Sequence, residues 1–314
     1  MARFSTLWGP GFALMAAAGF SGFQPSTAQS YRTAEVPALQ TACSQSSGAA
    51  CFYLGLRYSN GEGVEKDLKR ATALFELSCE EGIGTGCYNA ALTHFKDQST
   101  LGGTPKDYAK STPYYVKGCA LDHMGSCDSA GNAYRFGWGV EADAERAVGY
   151  YHTACNAGDG DACEGAGDIY DSSQYGMEDE WIAISYYERG CELGDGDSCG
   201  DASRVYKFGV GQAAPNAGMA YRYAFKACEL EKSYGCDWAG EHLRDGVGTV
   251  QDHRDARIMF ESVCDKASRG DACYNAGLLY ESGKGGARDI IKARALFERA
   301  CAARWPTAEA CEKL

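Results

Sequence analysis

The chain has 314 residues, of which 45% are apolar and 23% charged, with a formal net charge of −12 and 16 cysteines. That apolar share is enough for a sizeable core and excludes a disordered chain. The acidic excess excludes nucleic acid and anionic membrane as expected partners. So dense and even a set of cysteines is out of place in a reducing compartment unless metals or catalysis use the thiols.

Residues 1–28 read as a cleavable signal peptide. Arg3 gives a weak basic start, residues 11–20 (GFALMAAAGF) are apolar, and Ser26-Thr27-Ala28 puts small residues where a signal peptidase reads, so cleavage is expected after Ala28. A membrane anchor is the alternative, but residues 8–23 are interrupted by Gly9-Pro10-Gly11 and fall short of the roughly 20 residues a span needs. A mitochondrial transit peptide would carry more arginine. No cysteine precedes Cys43, so an N-terminal lipid on cysteine is not expected. The mature chain is expected to be periplasmic or secreted, with no membrane insertion after signal cleavage.

Residues 29–50 read as an N-terminal capping segment containing a lone helix over 34–43. After it, seven blocks of 36 to 40 residues follow, at 51–86, 87–126, 127–162, 163–198, 199–235, 236–272 and 273–310, each opening on a cysteine. A period of this size is that of a helical hairpin with a loop. Residues 311–314 are a remnant that caps the far end.

Within a block, the fourth and fifth positions are slim (Ala130-Gly131, Ala166-Gly167, Ala276-Gly277) and the eighth is usually tyrosine (Tyr58, Tyr134, Tyr170, Tyr206, Tyr280). Small residues followed by a large one at helical spacing let a second helix approach closely, which defines helix A. A Gly-x-Gly unit follows in five blocks, such as Gly137-Trp138-Gly139 and Gly209-Val210-Gly211. No strand precedes these units, so they are helix-ending turns and not phosphate cradles. Helix B then carries a small residue, usually alanine, eight before the next cysteine and an aromatic four before it, such as Ala183 and Tyr187, on one face. The fifth block has Ala224 at the aromatic place. Residues 97–105 are an insertion, and the fourth block has DSSQYGMEDE in place of Gly-x-Gly.

The junction pattern ALFELSC followed after seven residues by CYNA, with AGLLYESGKGG at a loop, resembles the Sel1-like repeat family. The cysteine pair at every junction is similar to the Helicobacter cysteine-rich protein branch. The resemblance runs from Cys43 to Cys311 and implies an all-α fold, a right-handed superhelical α/α-solenoid of tetratricopeptide-like (TPR/Sel1-like) repeats stapled by local disulfides. The simplest connectivity is eight local pairs: Cys43 with Cys51, Cys79 with Cys87, Cys119 with Cys127, Cys155 with Cys163, Cys191 with Cys199, Cys228 with Cys236, Cys264 with Cys273 and Cys301 with Cys311. Sequence alone leaves other connectivities open. C-x-x-C pairs, which zinc and dithiol redox sites use, are absent, and no cysteine is left over to be a nucleophile.

No catalytic residue, metal site or cofactor is expected. The resemblance implies β-lactam binding with weak penicillin-hydrolysing activity as the alternative function, yet Ser-x-x-Lys, Lys-Thr-Gly and Ser-Asp-Asn are missing. Tyr58-Ser59-Asn60 matches an accessory motif only superficially. The five histidines, His94, His123, His152, His242 and His253, lack metalloenzyme spacing. A mitochondrial assembly factor would fit the cysteines but not the leader.

What remains is a surface. By analogy with tetratricopeptide stacks, the second, sixth and ninth block positions line a concave groove. Asn132, Arg135, Glu164, Asp168, Asp171, Arg204, Lys207, Glu241 and Arg244 are the expected partner-binding residues, with Asp128 and Asp237 beside them. Apolar flanks are expected from Phe52, Leu56, Tyr88, Leu92, Phe95, Tyr274 and Leu278. The expected function is an exported scaffold that binds a protein or peptide without catalysis; a β-lactam or cell-wall fragment is the alternative ligand.

Overall fold

The computed structural model describes residues 27–96, 108–209, 215–266, 270–303 and 307–314. The leader expected at 1–28 lies outside them except for its last two residues, as do the insertion at 97–105 and part of the turn after Gly209. The described secondary structure is entirely helical: α1 (Thr27–Arg32), α2 (Val36–Ser44), α3 (Gly48–Asn60), α4 (Leu68–Glu80), α5 (Gly84–Lys96), α6 (Tyr108–Ala120), α7 (Met124–Phe136), α8 (Ala144–Asn156), α9 (Gly160–Asp171), α10 (Glu180–Glu192), α11 (Gly196–Phe208), α12 (Ala217–Glu229), α13 (Ser233–Asp245), α14 (His253–Lys266), α15 (Gly270–Ser282), α16 (Ile290–Ala302) and α17 (Ala308–Glu312). From α3 onward odd numbers are helices A and even numbers helices B. Each packs on its chain neighbours, which makes a solenoid.

Each helix A begins three residues before its cysteine, so blocks counted from 51, 87 and onward cut the helix in its first turn. The reason is the cap: Ser47, Asp159 and Asp195 stand four residues before the cysteine and accept the N–H of a first-turn residue. Helices B start on a similar device, with Asp67, Asp143, Asp179 and Asp289 as N-caps. The backbone N–H of each of these residues donates to the carbonyl of an eighth-position tyrosine, Tyr58, Tyr134, Tyr170 or Tyr280. One residue thereby ends the turn and starts the helix.

Within a repeat, the fifth-position glycine takes the aromatic ring of helix B. A Cβ at Gly55 would stand 2.7 Å from Phe75, at Gly131 2.6 Å from Tyr151, at Gly167 2.6 Å from Tyr187 and at Gly240 2.8 Å from Phe260. Those four rings are among the largest fully buried side chains. The fifth repeat departs at both places together. Ala224 replaces the ring, and Ser203 replaces glycine and donates its hydroxyl to the Ala220 carbonyl at 2.8 Å.

All eight disulfides form with the local pairing, and no cysteine is free. Their Cα atoms lie 4.4 to 5.0 Å apart, which brings the end of helix B against the start of helix A. The residues preceding the cysteines are alanine, glycine or serine in seven of the eight pairs, Val263 being the exception. Where one is serine the other is glycine, as in Ser78 with Gly86, Gly118 with Ser126 and Gly190 with Ser198. Eight disulfides imply an oxidising, extracytoplasmic setting. Among the described residues no helix is long and apolar enough to cross a membrane.

In the first six junctions the backbone turns left-handed three residues after the first cysteine. Gly82, Gly158 and Gly194 serve there in three junctions, but Ser46, Asp122 and Glu231 hold the same conformation, Glu231 at φ 62°. A side chain of that length costs about 1 kcal/mol in this region relative to glycine. Glu231→Gly is therefore expected to stabilise the chain by about 1 kcal/mol, read as a higher midpoint in thermal unfolding under oxidising conditions.

Candidate partner-binding groove

In the middle of the stack, α7, α9 and α11 lie closer to one another than the helices B between them do, so helices A line the inner side of the curve. That side carries the expected groove residues, and the structure links most of them to the next repeat. Arg135 donates to Asp168 at 3.0 Å and to the Tyr175 hydroxyl at 3.1 Å. Its guanidinium lies 5.0 Å from the centre of the Phe136 ring. Burial works against its charge, but Tyr175 and Asp168 together hold it more firmly protonated than usual. The Tyr187 hydroxyl donates to Asp168 at 3.0 Å and to Asp171 at 3.4 Å. Arg204 pairs with Asp171 and, at 3.3 Å, with Asp201. Lys207 meets Glu241 at 3.8 Å, and Arg244 donates to Asn275 at 2.9 Å. Asn132 donates to Asp128 at 3.2 Å and accepts the Tyr151 hydroxyl at 3.0 Å. These side chains form a ladder from repeat to repeat, which fixes their geometry.

Glu164 differs. Among the described residues it makes no hydrogen bond or ion pair, and it sits half-buried in α9 between two acidic neighbourhoods. Its carboxylate comes within 4.8 Å of those of Asp195 and Asp197 on one side and of Asp168 and Asp201 on the other. Burial, then Asp168, Asp195 and Asp201, push its carboxyl up to about 8. Burial with Asp159 and Asp161 pushes Asp128 up to about 6, and burial pushes Asp201 to about 6 against the pull of Arg204. Asp128, Asp161, Glu164, Asp168 and Asp197 line a cavity of about 320 Å³ together with Asn132, Arg135 and Tyr151. The acidity is local: residues 108–209 hold 18 acidic and 7 basic side chains, a net −11 within a chain of −12.

The apolar flanks are less open than expected. Phe52 leans on Phe75 at 6.0 Å, Tyr274 on Phe297 at 5.7 Å, and Tyr88 on His123 at 4.8 Å. Leu56 and Leu278 are half-buried against their own cores, and the side chain of Phe95 lies outside the described residues. Asp237 is buried. Four of the histidines have structural partners. His94 meets Glu76 at 2.8 Å, His123 caps α7, His152 meets Tyr186 at 2.8 Å, and His242 meets the Val247 carbonyl at 2.6 Å. In the accessory-like motif, Ser59 donates to Leu56 and Asn60 to Glu62, which are turn contacts.

Sequence reasoning missed Tyr175, Tyr187, Asp161, Asp195, Asp197 and Asp201. The last four lie two or four residues from the second cysteine of their junction, a spacing that was available as a signal. Tyr175 comes from the fourth repeat's irregular turn, where Gly176 at φ 66° takes the place of the usual glycine unit.

The Sel1 repeat family model matches residues 48–83, 85–123, 127–159, 161–195, 199–232 and 270–304, well over half of the chain. A protective antigen of uropathogenic Escherichia coli strains with an SLR fold is 23% identical, with a TM-score of 0.76 over 86% of this chain and 56% of that one. This chain therefore spans little more than half the length of that antigen. A Sel1 repeat protein from Oxalobacter formigenes is 21% identical, with a TM-score of 0.69 over 88% of this chain and 79% of that one. Helicobacter pylori cysteine rich protein B is 26% identical over 42% of this chain and 93% of that one, at a TM-score of 0.34. Among curated proteins none matches.

The state of Glu164 is measurable through stability. An ordinary glutamate titrates near 4.5 and this one near 8, so between those values the folded chain keeps a proton that the unfolded chain has shed. Its contribution is full below about 4.5 and is lost as pH rises towards 8. Glu164→Gln should raise stability by about 1 kcal/mol at pH 8.5, after allowance for solvent screening, and leave it unchanged at pH 4.5. Thermal unfolding at the two pH values checks this.

Proposed function

The chain belongs to the Sel1 repeat family, and from that premise we propose that it is an exported, disulfide-braced scaffold that holds a segment of a partner protein along its concave face. Sel1 repeats generally mediate contacts between proteins. The observation that carries the reading is the inter-repeat ladder. Arg135 with Asp168, Arg204 with Asp171 and Lys207 with Glu241 join successive helices A at the spacing of one repeat, so polar groups stand in a fixed row across the groove. A fixed row suits an extended segment, because little side-chain freedom is lost when it binds. Asn132, Glu164 and Arg244 complete the proposed contact residues, with Asn132 and Arg244 held by Tyr151 and Asn275.

Export rests on the eight disulfides and on the leader read at residues 1–28. Intact-mass analysis of protein from its native host should give a mature chain beginning at Gln29.

Because the ladder also joins repeats, single charge reversals would disturb packing together with binding. Exchanging the two members of one pair avoids this. Lys207→Glu combined with Glu241→Lys keeps an ion pair between α11 and α13 but inverts the row. The double variant is expected to melt within a few degrees of the parent and to bind a partner recovered by affinity purification at least tenfold more weakly. Unchanged affinity would remove the groove from the reading.

A further inference from the structure

The groove has a second kind of feature that the ladder does not use. Phe136 and Phe208 are the last residues of α7 and α11, and they stand 49% and 73% exposed. Asn60, Ser172, Asp245 and Ser282 hold the same place in other repeats. Large rings therefore occur at this place in the two repeats that flank the fourth. Phe136 is backed by Trp138, with ring centres 5.2 Å apart, and Trp138 by Tyr108 at 5.3 Å, so the outer ring is supported from behind. Rigid, supported and exposed rings are anchor points for a partner.

Glu164 stands near the start of α9, the helix A between α7 and α11, and is linked to the first ring through Arg135, whose guanidinium lies 5.0 Å from the Phe136 ring and bonds Asp168, a carboxylate within 4.8 Å of that of Glu164. The nearby cations are committed: Arg135 to Asp168, Arg204 to Asp171 and Asp201, Lys232 to Asp197. A carboxylate held half-buried among others gains most from a cation brought in from outside. The same surplus of charge disfavours nucleic acid and anionic lipid at this surface.

We infer that the surface formed by α7, α9 and α11 takes an extended segment of another protein that carries lysine or arginine together with apolar side chains, the cation seated against Glu164 and the apolar groups against Phe136 and Phe208. This deepens the concave-face reading and rests on it. The rings select the apolar positions, and the acids select the charge.

The test uses the full oxidised chain and a fluorescein-labelled decapeptide with two lysines between two phenylalanines, followed by anisotropy at physiological salt and about pH 8.5, where Glu164 is mostly ionised. Saturable binding is expected, weakened roughly fivefold or more by Glu164→Gln and by Phe208→Ser. Glu164→Gln relieves repulsion and so does not threaten the fold. The control variant, Glu141→Gln with Glu145→Gln, removes two exposed charges from the same acidic third and should leave binding unchanged. The inference is overturned by no binding, by equal binding of the peptide with glutamates for lysines, or by a control variant as weak as Glu164→Gln. A neutral peptide that binds and is lost in the Lys207/Glu241 exchange would keep the concave reading and overturn the cationic one.

Discussion

The approach of two helix ends to within 5.0 Å at each disulfide constrains everything around it. A sulfur bridge of this kind holds the last turn of helix B against the first turn of helix A, and such contact leaves no room for side chains on the inner side of the junction. Hence the serine and glycine partners beside the cysteines, and hence, in the first six junctions, the left-handed residue three positions after the first cysteine, which turns the chain back at once. Closing a loop this short restricts the unfolded chain by about 2 to 3 kcal/mol. In a stack whose stability is a sum of repeats and interfaces, that contribution falls on each interface separately.

The sequence disclosed the repeat because packing rules are local and recur. Gly167 and Tyr187 lie 20 residues apart, yet their relation could be read from five other blocks with a slim residue and a ring at the same places. The cysteine period was as clear, but the helix starts were displaced by three residues because the sulfur marks the contact and the cap marks the start. The paired change at Ser203 and Ala224 shows the limit of such reading: the replacement hydrogen bond runs from a side chain to the Ala220 backbone and leaves no trace in the pattern.

The groove was legible in outline only. Helical spacing placed Arg135 and Asp168 on the inner face, but their contact depends on the rise from one repeat to the next, which composition does not encode. Tyr187 was read as a packing ring, and it is one. Its hydroxyl also reaches over Gly167 to Asp168 and Asp171, so one residue fills the core and orders the surface. Glu164 was named as one of nine equal candidates. Only the three-dimensional arrangement separates it, since all its acidic neighbours but Asp168 come from α11 and the turn before it, and its lack of a partner is a property of the fold.

Sixteen cysteines admit roughly two million complete pairings. Here every bond joins residues 8 to 10 apart, so the correct partner is also the one met first by diffusion. A further consequence concerns ancestry. Cutting the chain at any turn between helices A and B separates no bonded pair, so whole repeats can be duplicated, deleted or exchanged with their sulfur chemistry intact. The arrangement allows the length of the binding surface to change by recombination without a new oxidative folding problem at each step.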